Sequence, residues 1–320
     1  MHNANSAPLA ARRAGPLKGT AQVPGDKSIS QRALILGALA EGETRISGLL
    51  ESGDVHSTAG ALRGFGAELT AEGPGRWRVK GTGVGNWKTP GADLDFGNSG
   101  TGSRLVMGAM ATTPITATFT GDASLRSRPM ARVVAPLEAF GVTYEGQGPK
   151  ALMPLTLHGA RDARAITAHV ATASAQVKSA LLLAALNAKG TSKISQDALT
   201  RDHSEKMLAA FGAKITVSPR PEGGEVITVE GPARLTGCKA SARHMSVTTL
   251  SPRFRIFPWT PTITSGTVDM PTTSAPIVRS ARYSARVSRF GPTTAAYTPC
   301  CTAIFSSIAA FFASASNCRS

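Results

Sequence analysis

The pattern of apolar and polar residues along the chain repeats three times between about residue 20 and residue 231. Three apolar segments predict buried helices: Ala33–Ala40, Leu105–Ala111 and Ala180–Leu186. Each is followed by a short segment with strand character: Thr44–Gly48, Ile115–Thr120 and Thr191–Ile194. The regular order of these segments predicts a repeated supersecondary unit.

The second half of each unit carries a common Phe-Gly ending, at Phe65-Gly66, Phe140-Gly141 and Phe211-Gly212. Glycine closes a helix there because it adopts the left-handed C-terminal conformation without strain. Two strands joined by a turn are predicted after each ending: Glu68–Ala71 with Trp77–Lys80, Thr143–Glu145 with Leu152–Leu157, and Lys214–Val217 with Glu225–Val229. One such unit cannot bury all its apolar faces, so we expect an α/β domain of three packed units.

The residues that open the first helix of each unit are polar and rich in glycine or serine. They are Gly25-Asp26-Lys27-Ser28, Gly97-Asn98-Ser99-Gly100-Thr101 and Thr172-Ala173-Ser174-Ala175-Gln176. If rotation relates the units, these helix N-termini gather at one end of the domain, where free N–H groups and helix dipoles favour an anion. Neighbouring loops add the cationic side chains Arg126, Arg128, Arg201 and His203. The sequence therefore predicts a site for a small molecule with more than one anionic group.

The net charge of +15 is the feature that would favour binding to nucleic acid or to a membrane surface. Residues 240–320 contain eight arginines, one aspartate (Asp269), no lysine and no glutamate, so they contribute +7 of this charge. We expect this segment to be poorly ordered, because its apolar residues follow no helical or strand period. The location of the charge therefore weakens the nucleic-acid interpretation.

The remaining composition is that of a soluble globular protein, with 42% apolar and 17% charged residues. Met1–Gly15 has no signal-peptide pattern, and Ile304–Ala315 is too short to span a membrane. The four cysteines have no metal-ligand spacing, so neither a metal site nor a disulfide framework is expected. We expect a cytoplasmic monomer that binds neither nucleic acid nor membranes.

Five motifs resemble, in order and spacing, those of the 5-enolpyruvylshikimate-3-phosphate synthase family, and most closely its glyphosate-tolerant bacterial members. They are Pro24-Gly25-Asp26-Lys27-Ser28-Ile29-Ser30-Gln31-Arg32, Gly97-Asn98-Ser99-Gly100-Thr101-Gly102-Ser103-Arg104, Gly121-Asp122-Ala123-Ser124-Leu125-Arg126-Ser127-Arg128-Pro129-Met130, Ser174-Ala175-Gln176-Val177-Lys178-Ser179-Ala180 and Thr200-Arg201-Asp202-His203-Ser204-Glu205-Lys206. The resemblance covers roughly residues 15–239. It implies an enolpyruvyl-transferase type α/β fold of two domains, each built from three βαβαββ units. Residues 1–20 would then cross into the other domain, residues 21–239 would form one domain, and residues 240–320 would be an atypical tail.

The resemblance also implies a reaction, in which the enolpyruvyl group of phosphoenolpyruvate is transferred to the 5-hydroxyl of shikimate 3-phosphate without a metal or an organic cofactor. It assigns Lys27 to both substrates, and Ser28 and Arg32 to the phosphate ester of shikimate 3-phosphate. Gly100 and Arg128 would contact phosphoenolpyruvate. The residues that it assigns to shikimate 3-phosphate are Ser174, Ala175, Gln176 and Arg201, with Gln176 able to reach both ligands.

Four neighbouring residues have ordinary explanations. Arg104 lies inside a predicted helix and is expected to be structural rather than catalytic. Arg126 is equally well explained as a solvated neighbour of Arg128 or as a ligand. His203 and Lys178 are expected to be a satisfied pair on helix faces.

The sequence departs from the family after Lys239, where the second Pro-Gly-Asp-type loop, the catalytic aspartate and further arginines should follow. We interpret the break as a shift of reading frame near residue 239, and we expect little or no turnover from the chain. A family-like second half in another frame of the gene would support this hypothesis, and its absence from every frame would refute it. Two alternatives are a UDP-N-acetylglucosamine enolpyruvyl transferase, which should have Lys-Asn where Lys27 is followed by Ser28, and a non-enzymatic basic anion-binding protein.

Overall fold

The computed structural model describes residues 24–242 of the chain. Its helices are α1 (Lys27–Leu39), α2 (Gly53–Gly64), α3 (Gly100–Met110), α4 (Ala123–Arg126), α5 (Ala131–Leu137), α6 (Ala175–Ala185) and α7 (His203–Ala210). Its strands are β1 (Glu43–Ser47), β2 (Glu68–Gly73), β3 (Arg76–Lys80), β4 (Leu94–Asp95), β5 (Thr116–Thr120), β6 (Thr143–Gln147), β7 (Leu152–His158), β8 (Thr167–Val170), β9 (Gly190–Gln196), β10 (Ile215–Pro219), β11 (Glu225–Gly231) and β12 (Lys239–Ser241). Residues 1–20, which are predicted to cross into another domain, lie outside the described residues. So do residues 243–320, which make up most of the segment predicted to be poorly ordered.

The strands form three four-stranded sheets with one common plan. The strand orders are β12-β1-β3-β2, β4-β5-β7-β6 and β8-β9-β11-β10. In each sheet the first two strands are parallel and the other neighbours are antiparallel. Parallel neighbours need a crossover connection, which α3 provides between β4 and β5 and α6 provides between β8 and β9. The common plan confirms the α/β fold and the three repeats.

The first sheet takes its outer parallel strand from the far end of the described segment. β12 pairs in parallel with β1, with Lys239 opposite Arg45. The backbone N–H of Asp26 donates to the carbonyl of Ala242 over 2.8 Å, so both ends of the described segment are adjacent. This strand runs across the predicted boundary between residues 239 and 240, and the boundary itself stays a prediction.

The polar openings of the three first helices are part of those helices, which begin at Lys27, Gly100 and Ala175, before the predicted apolar segments. Polar residues fit there because the first N–H groups of a helix have no intrahelical acceptor. Side-chain oxygens cap each opening by accepting a backbone N–H: Asp26 from Ile29, Ser99 from Gly102 and Ser174 from Val177. The caps fix where each helix begins.

The three Phe-Gly endings are confirmed as left-handed helix terminations, with φ of 99° at Gly66, 91° at Gly141 and 94° at Gly212. The second repeat reaches its ending through a 3-10 helix, Glu138–Phe140, rather than through the α-helix itself. Pro136 lies within α5 and has no N–H to donate, which favours this change of geometry.

The helices α1, α3 and α6 are buried along most of their length, and α3 packs against both α1 and α6. The side chains of Leu34, Leu105 and Leu182 are 0% exposed. Backbones of α3 and α6 meet at Gly108, where an added Cβ would lie 2.3 Å from the carbonyl oxygen of Ala180. This close approach sets how near α3 and α6 can lie to each other.

Candidate anion-binding site

The first turns of α1, α3 and α6 meet, as the sequence predicts. The Gln31 amide of α1 donates to the hydroxyl of Ser99, the cap of α3, over 2.6 Å. The Gln176 amide of α6 donates to the Thr101 hydroxyl of α3 over 2.9 Å. The three polar motifs therefore lie at one end of the domain, where their N-terminal dipoles add.

Arg32 is buried, with 4% of the residue exposed, and its guanidinium joins three helices. Its Nε donates to Ser204 Oγ of α7 over 2.7 Å, its Nη2 to Ser179 Oγ of α6 over 2.9 Å, and its Nη1 to the carbonyl of Ser28 over 3.2 Å. Burial lowers the pKa of Arg32 to about 10, and the positive charge of Arg201 acts in the same direction. The predicted residues Ser28, Arg32 and Arg201 are thus gathered in one place.

Lys27 lies at the start of α1, with 52% of its side chain exposed, and pairs with the carboxylate of Asp54 on α2. Nδ1 of His203 lies 3.3 Å from Ser28 Oγ, so α7 also contributes to this side of the site. The lysine remains accessible to an incoming anion because its side chain is half-exposed.

The predicted residues Gly100, Arg128 and Gln176 form a second group around α3. Arg104, only 8% exposed, donates from Nη1 to Gln176 Oε1 over 2.9 Å. An added Cβ at Gly100 would lie 2.9 Å from Arg128 Nη1 and 3.2 Å from Arg104 Nη1, so both guanidiniums face this glycine. Burial, followed by the charges of Arg132 and Arg128, lowers the pKa of Arg104 to about 10. The structure places Arg104 beside predicted site residues.

Ser174 and Ala175 lie at the start of α6, where Ser174 is the cap and Ala175 the first helical residue. Nη2 of Arg132 on α5 donates to Ser174 Oγ over 2.8 Å. Arg126 is exposed and donates to Thr120 Oγ1 over 3.1 Å. Arg126 therefore fits the solvated alternative, and Arg132 is a cation of the site that the motifs do not single out.

Gly100→Ala is expected to weaken the binding of a small phosphorylated anion about tenfold while changing the free energy of unfolding little. The new methyl group would displace the guanidinium groups of two flexible arginines and leave the backbone in place. The loss is therefore expected in the contacts of these arginines with the anion rather than in the stability of the fold. Gly53→Ala is the matched control, because Gly53 opens α2 and an added Cβ there has nothing within 4 Å. Calorimetric titration of the variants tests this, and equal affinities for both would contradict it.

Lys178 is buried on α6 and forms ion pairs with Glu205 of α7 and with Glu225, the latter at 3.2 Å. The ammonium of Lys178 lies between these two carboxylates, which agrees with the expectation that Lys178 is a satisfied residue rather than part of the chemistry. Burial raises the pKa of the Glu205 carboxyl, although the hydrogen bond and charge of Lys178 oppose the shift. Gln196 Nε2 donates to Glu225 Oε1 over 2.6 Å and completes this network behind the site.

The raised pKa of Glu205 makes the free energy of unfolding depend on pH. A carboxyl group with a raised pKa in the folded state stabilises the fold below its unfolded pKa, and this contribution is lost as pH rises through the folded pKa. We therefore expect the stability of the unmodified chain, relative to Glu205→Gln, to fall as pH rises from the ordinary carboxyl value of 4.5. Urea unfolding of both proteins from pH 4 to pH 8 measures this difference. A difference that is constant or rises with pH would contradict it.

Comparison with known families decides to which group of proteins these motifs belong. The family model described as EPSP synthase (3-phosphoshikimate 1-carboxyvinyltransferase) matches residues 11–243, most of the chain. The chain belongs to the EPSP synthase family. This confirms the resemblance carried by the five motifs, and it does not favour either alternative function.

Individual members of the EPSP synthase family agree with the match. A 3-phosphoshikimate 1-carboxyvinyltransferase of Cereibacter sphaeroides is 58% identical over 229 residues, which are 71% of this chain and 51% of that protein. One of Afipia carboxidovorans is 54% identical over 236 residues, 74% of this chain and 53% of that protein. The solved structure of EPSP synthase from Acinetobacter baumannii has a TM-score of 0.65 and 37% identity, and covers 70% of this chain and 49% of that one. The chain thus spans about half the length of the relatives it matches.

Three partners of the EPSP synthase motifs emerge only from the structure. Asp54 pairs with Lys27, Ser204 holds Arg32, and Arg132 holds Ser174. Asp54 and Arg132 lie outside the five motifs, and their distance along the chain from their partners hides them. Within residues 24–242 no cluster of histidine, cysteine, aspartate and glutamate is suited to a metal ion, and no helix is long and apolar enough to cross a membrane.

Proposed function

We propose that the chain binds shikimate 3-phosphate and phosphoenolpyruvate, and that residues 24–242 hold the anionic groups of both substrates for enolpyruvyl transfer. The observation that carries this proposal is the meeting of three helix N-termini, joined through Gln31, Gln176 and Arg32, where the family motifs lie. Two phosphorylated anions repel each other. A site that brings them together must therefore supply fixed cations and N–H donors in advance.

Lys27 is proposed to contact both substrates, because a compact and half-exposed ammonium suits the point between two anions. Ser28 and Arg32 are proposed to hold the phosphate ester of shikimate 3-phosphate, with Arg32 acting from its buried position beneath Ser28. Arg201 adds positive charge on the same side.

The other half of the proposed site lies between α3 and α6. Gly100 leaves room for phosphoenolpyruvate next to Arg128, whose planar guanidinium suits a carboxylate or a phosphate. Ser174, Ala175 and Gln176 are proposed to hold shikimate 3-phosphate through the N-terminus of α6. Gln176 lies near both positions and can contact both ligands.

We further propose that the 320-residue chain, assayed as it stands, has little turnover. Protonation of the methylene carbon and loss of the hydroxyl proton need carboxylates at the reacting atoms. Residues 240–320 offer only Asp269, in no family-like context, and the division at residue 239 remains part of this proposal. Phosphate release with both substrates, at the rate of a full-length relative, would contradict it.

Calorimetric titration of the chain with shikimate 3-phosphate tests the binding proposal without requiring catalysis. We expect one site per chain and an affinity about ten- to hundredfold weaker in Lys27→Met, as for loss of a charge-assisted hydrogen bond. Lys80→Met is the matched control, since Lys80 is exposed and pairs with Glu68 at 3.5 Å. No binding by the folded chain, or equal losses in both variants, would overturn the proposal.

A further inference from the structure

Three arginines lie around the first turns of α3 and α6 without a neutralising partner. Arg104 faces Gln176, Arg128 lies with Arg104 at Gly100, and Arg132 donates to the cap of α6. We call Arg104, Arg128 and Arg132 the arginine cluster. Over residues 24–242, no carboxylate lies within ion-pair distance of the cluster, whereas the buried ammonium of Lys178 has two acidic partners.

The burial of Arg104 makes this arrangement costly. Arg104 is more than nine-tenths buried, and within the described part of the chain its Nε has no hydrogen-bond partner. The hydrogen-bond partner of its Nη1 is a neutral amide, and the like charges of Arg132 and Arg128 act on its guanidinium. A buried charge without a counter-ion destabilises the folded state unless a ligand supplies the missing charge.

The contacts of Arg104 also determine which end of the Gln176 amide faces the site. A guanidinium can only donate, so Gln176 Oε1 must face Arg104 and Nε2 must face Thr101. The Nε2 group has a second N–H, which is left for a ligand. Gln176 therefore presents an N–H donor, and not its carbonyl oxygen, to a bound anion.

We propose that Arg104 and Arg132 are two further anion-binding residues, which hold one phosphate-type dianion at the N-terminus of α6, beside Arg128. Arg132 contacts this dianion beside Ser174. Arg104 supplies charge from below and fixes the Gln176 amide as a donor. The inference rests on the proposed function, because it adds residues to the same site and names the charge of the group bound there.

The first test is thermal unfolding of the full chain in inorganic phosphate, compared with sodium chloride at equal ionic strength. Phosphate is expected to raise the Tm of the unmodified chain and of Arg126→Met, but not of Arg104→Met or Arg132→Met. Without phosphate, the Tm of Arg104→Met is expected to be no lower than that of the unmodified chain, because the buried repulsion is relieved. A purely structural arginine would lower it. Persistence of the phosphate response in both cluster variants would overturn the inference.

Gln176→Glu provides a second variant that does not remove an arginine. Its carboxylate would pair with Arg104 and neutralise the cluster from within. We expect a higher Tm without phosphate and no further increase when phosphate is added. A lower Tm together with an unchanged phosphate response would contradict the inference even if Arg104→Met fails to fold.

Titration with shikimate 3-phosphate separates this inference from the function on which it rests. Both predict tight binding by the unmodified chain, and the inference adds a ten- to hundredfold loss in Arg104→Met and Arg132→Met. Equal affinity in all three proteins would overturn the inference and leave the proposed function standing. A cluster-dependent phosphate response with no preference for shikimate 3-phosphate over phosphate would support the inference and overturn the proposed function.

Discussion

Lys178→Met is expected to lower the free energy of unfolding by about 3–5 kcal/mol at neutral pH, because it breaks a buried ion pair from one side. The Lys178 side chain is 0% exposed, and its partners Glu205 and Glu225 are 4% and 14% exposed. Without the ammonium, two carboxylates remain close together in a poorly hydrated place. The loss is a large part of the stability of an ordinary domain, which is about 5–15 kcal/mol.

Urea unfolding followed by circular dichroism measures this loss. The control is Lys214→Met, because Lys214 pairs with Glu230 at 3.0 Å on the surface, where such a pair contributes less than about 1 kcal/mol. Lys178→Met combined with Glu205→Leu should recover much of the loss, since apolar groups of similar size can replace a buried pair. A loss in Lys178→Met no larger than in the control would show that the network does not stabilise the fold.

Gly108→Ala is expected to lower the free energy of unfolding by about 1–3 kcal/mol through overpacking. The new Cβ would lie 2.3 Å from the carbonyl oxygen of Ala180, and backbone cannot move aside as a side chain can. Helices α3 and α6 must therefore separate. Because Arg104 lies on α3 and Gln176 on α6, their hydrogen bond should lengthen and the affinity for shikimate 3-phosphate should fall in the same variant.

Gly60→Ala is the control for this variant. Gly60 lies within α2, and an added Cβ there has nothing within 4 Å. Alanine in an unobstructed helix position should raise the free energy of unfolding by about 0.5–1 kcal/mol. We therefore expect the free energy of unfolding to fall in Gly108→Ala and to rise in Gly60→Ala. A stable Gly108→Ala protein with unchanged affinity would contradict the proposed role of the helix contact.

The repeats of the fold could be predicted because each carries a local signal. The Phe-Gly endings mark left-handed terminations, and the three other strands of each sheet, apart from its outer parallel strand, could be placed from the sequence. The outer parallel strands β4, β8 and β12 could not be placed, since two to four residues are too few to show a period. β12 completes the first sheet by pairing with β1, from which it is far away in the sequence. No local sequence pattern indicates this pairing.

The candidate site was predictable in its motifs but not in its contacts. Lys27, Gly100 and Gln176 lie in recognisable openings of helices. The Arg32–Ser204 bond instead joins residues 172 positions apart, and the Arg132–Ser174 bond joins residues 42 positions apart. Such pairs follow from helix packing, and packing is decided by the whole core rather than by neighbours in sequence.

The central claim is that the starts of α1, α3 and α6 form one anion-binding site. Amide hydrogen exchange of the full chain, with and without saturating shikimate 3-phosphate, tests it most directly. The account predicts slower exchange at all three starts together, around Lys27–Ser28, Gly100–Thr101 and Ala175–Gln176. Protection that is confined to one start, or that lies elsewhere in residues 24–242, would contradict it.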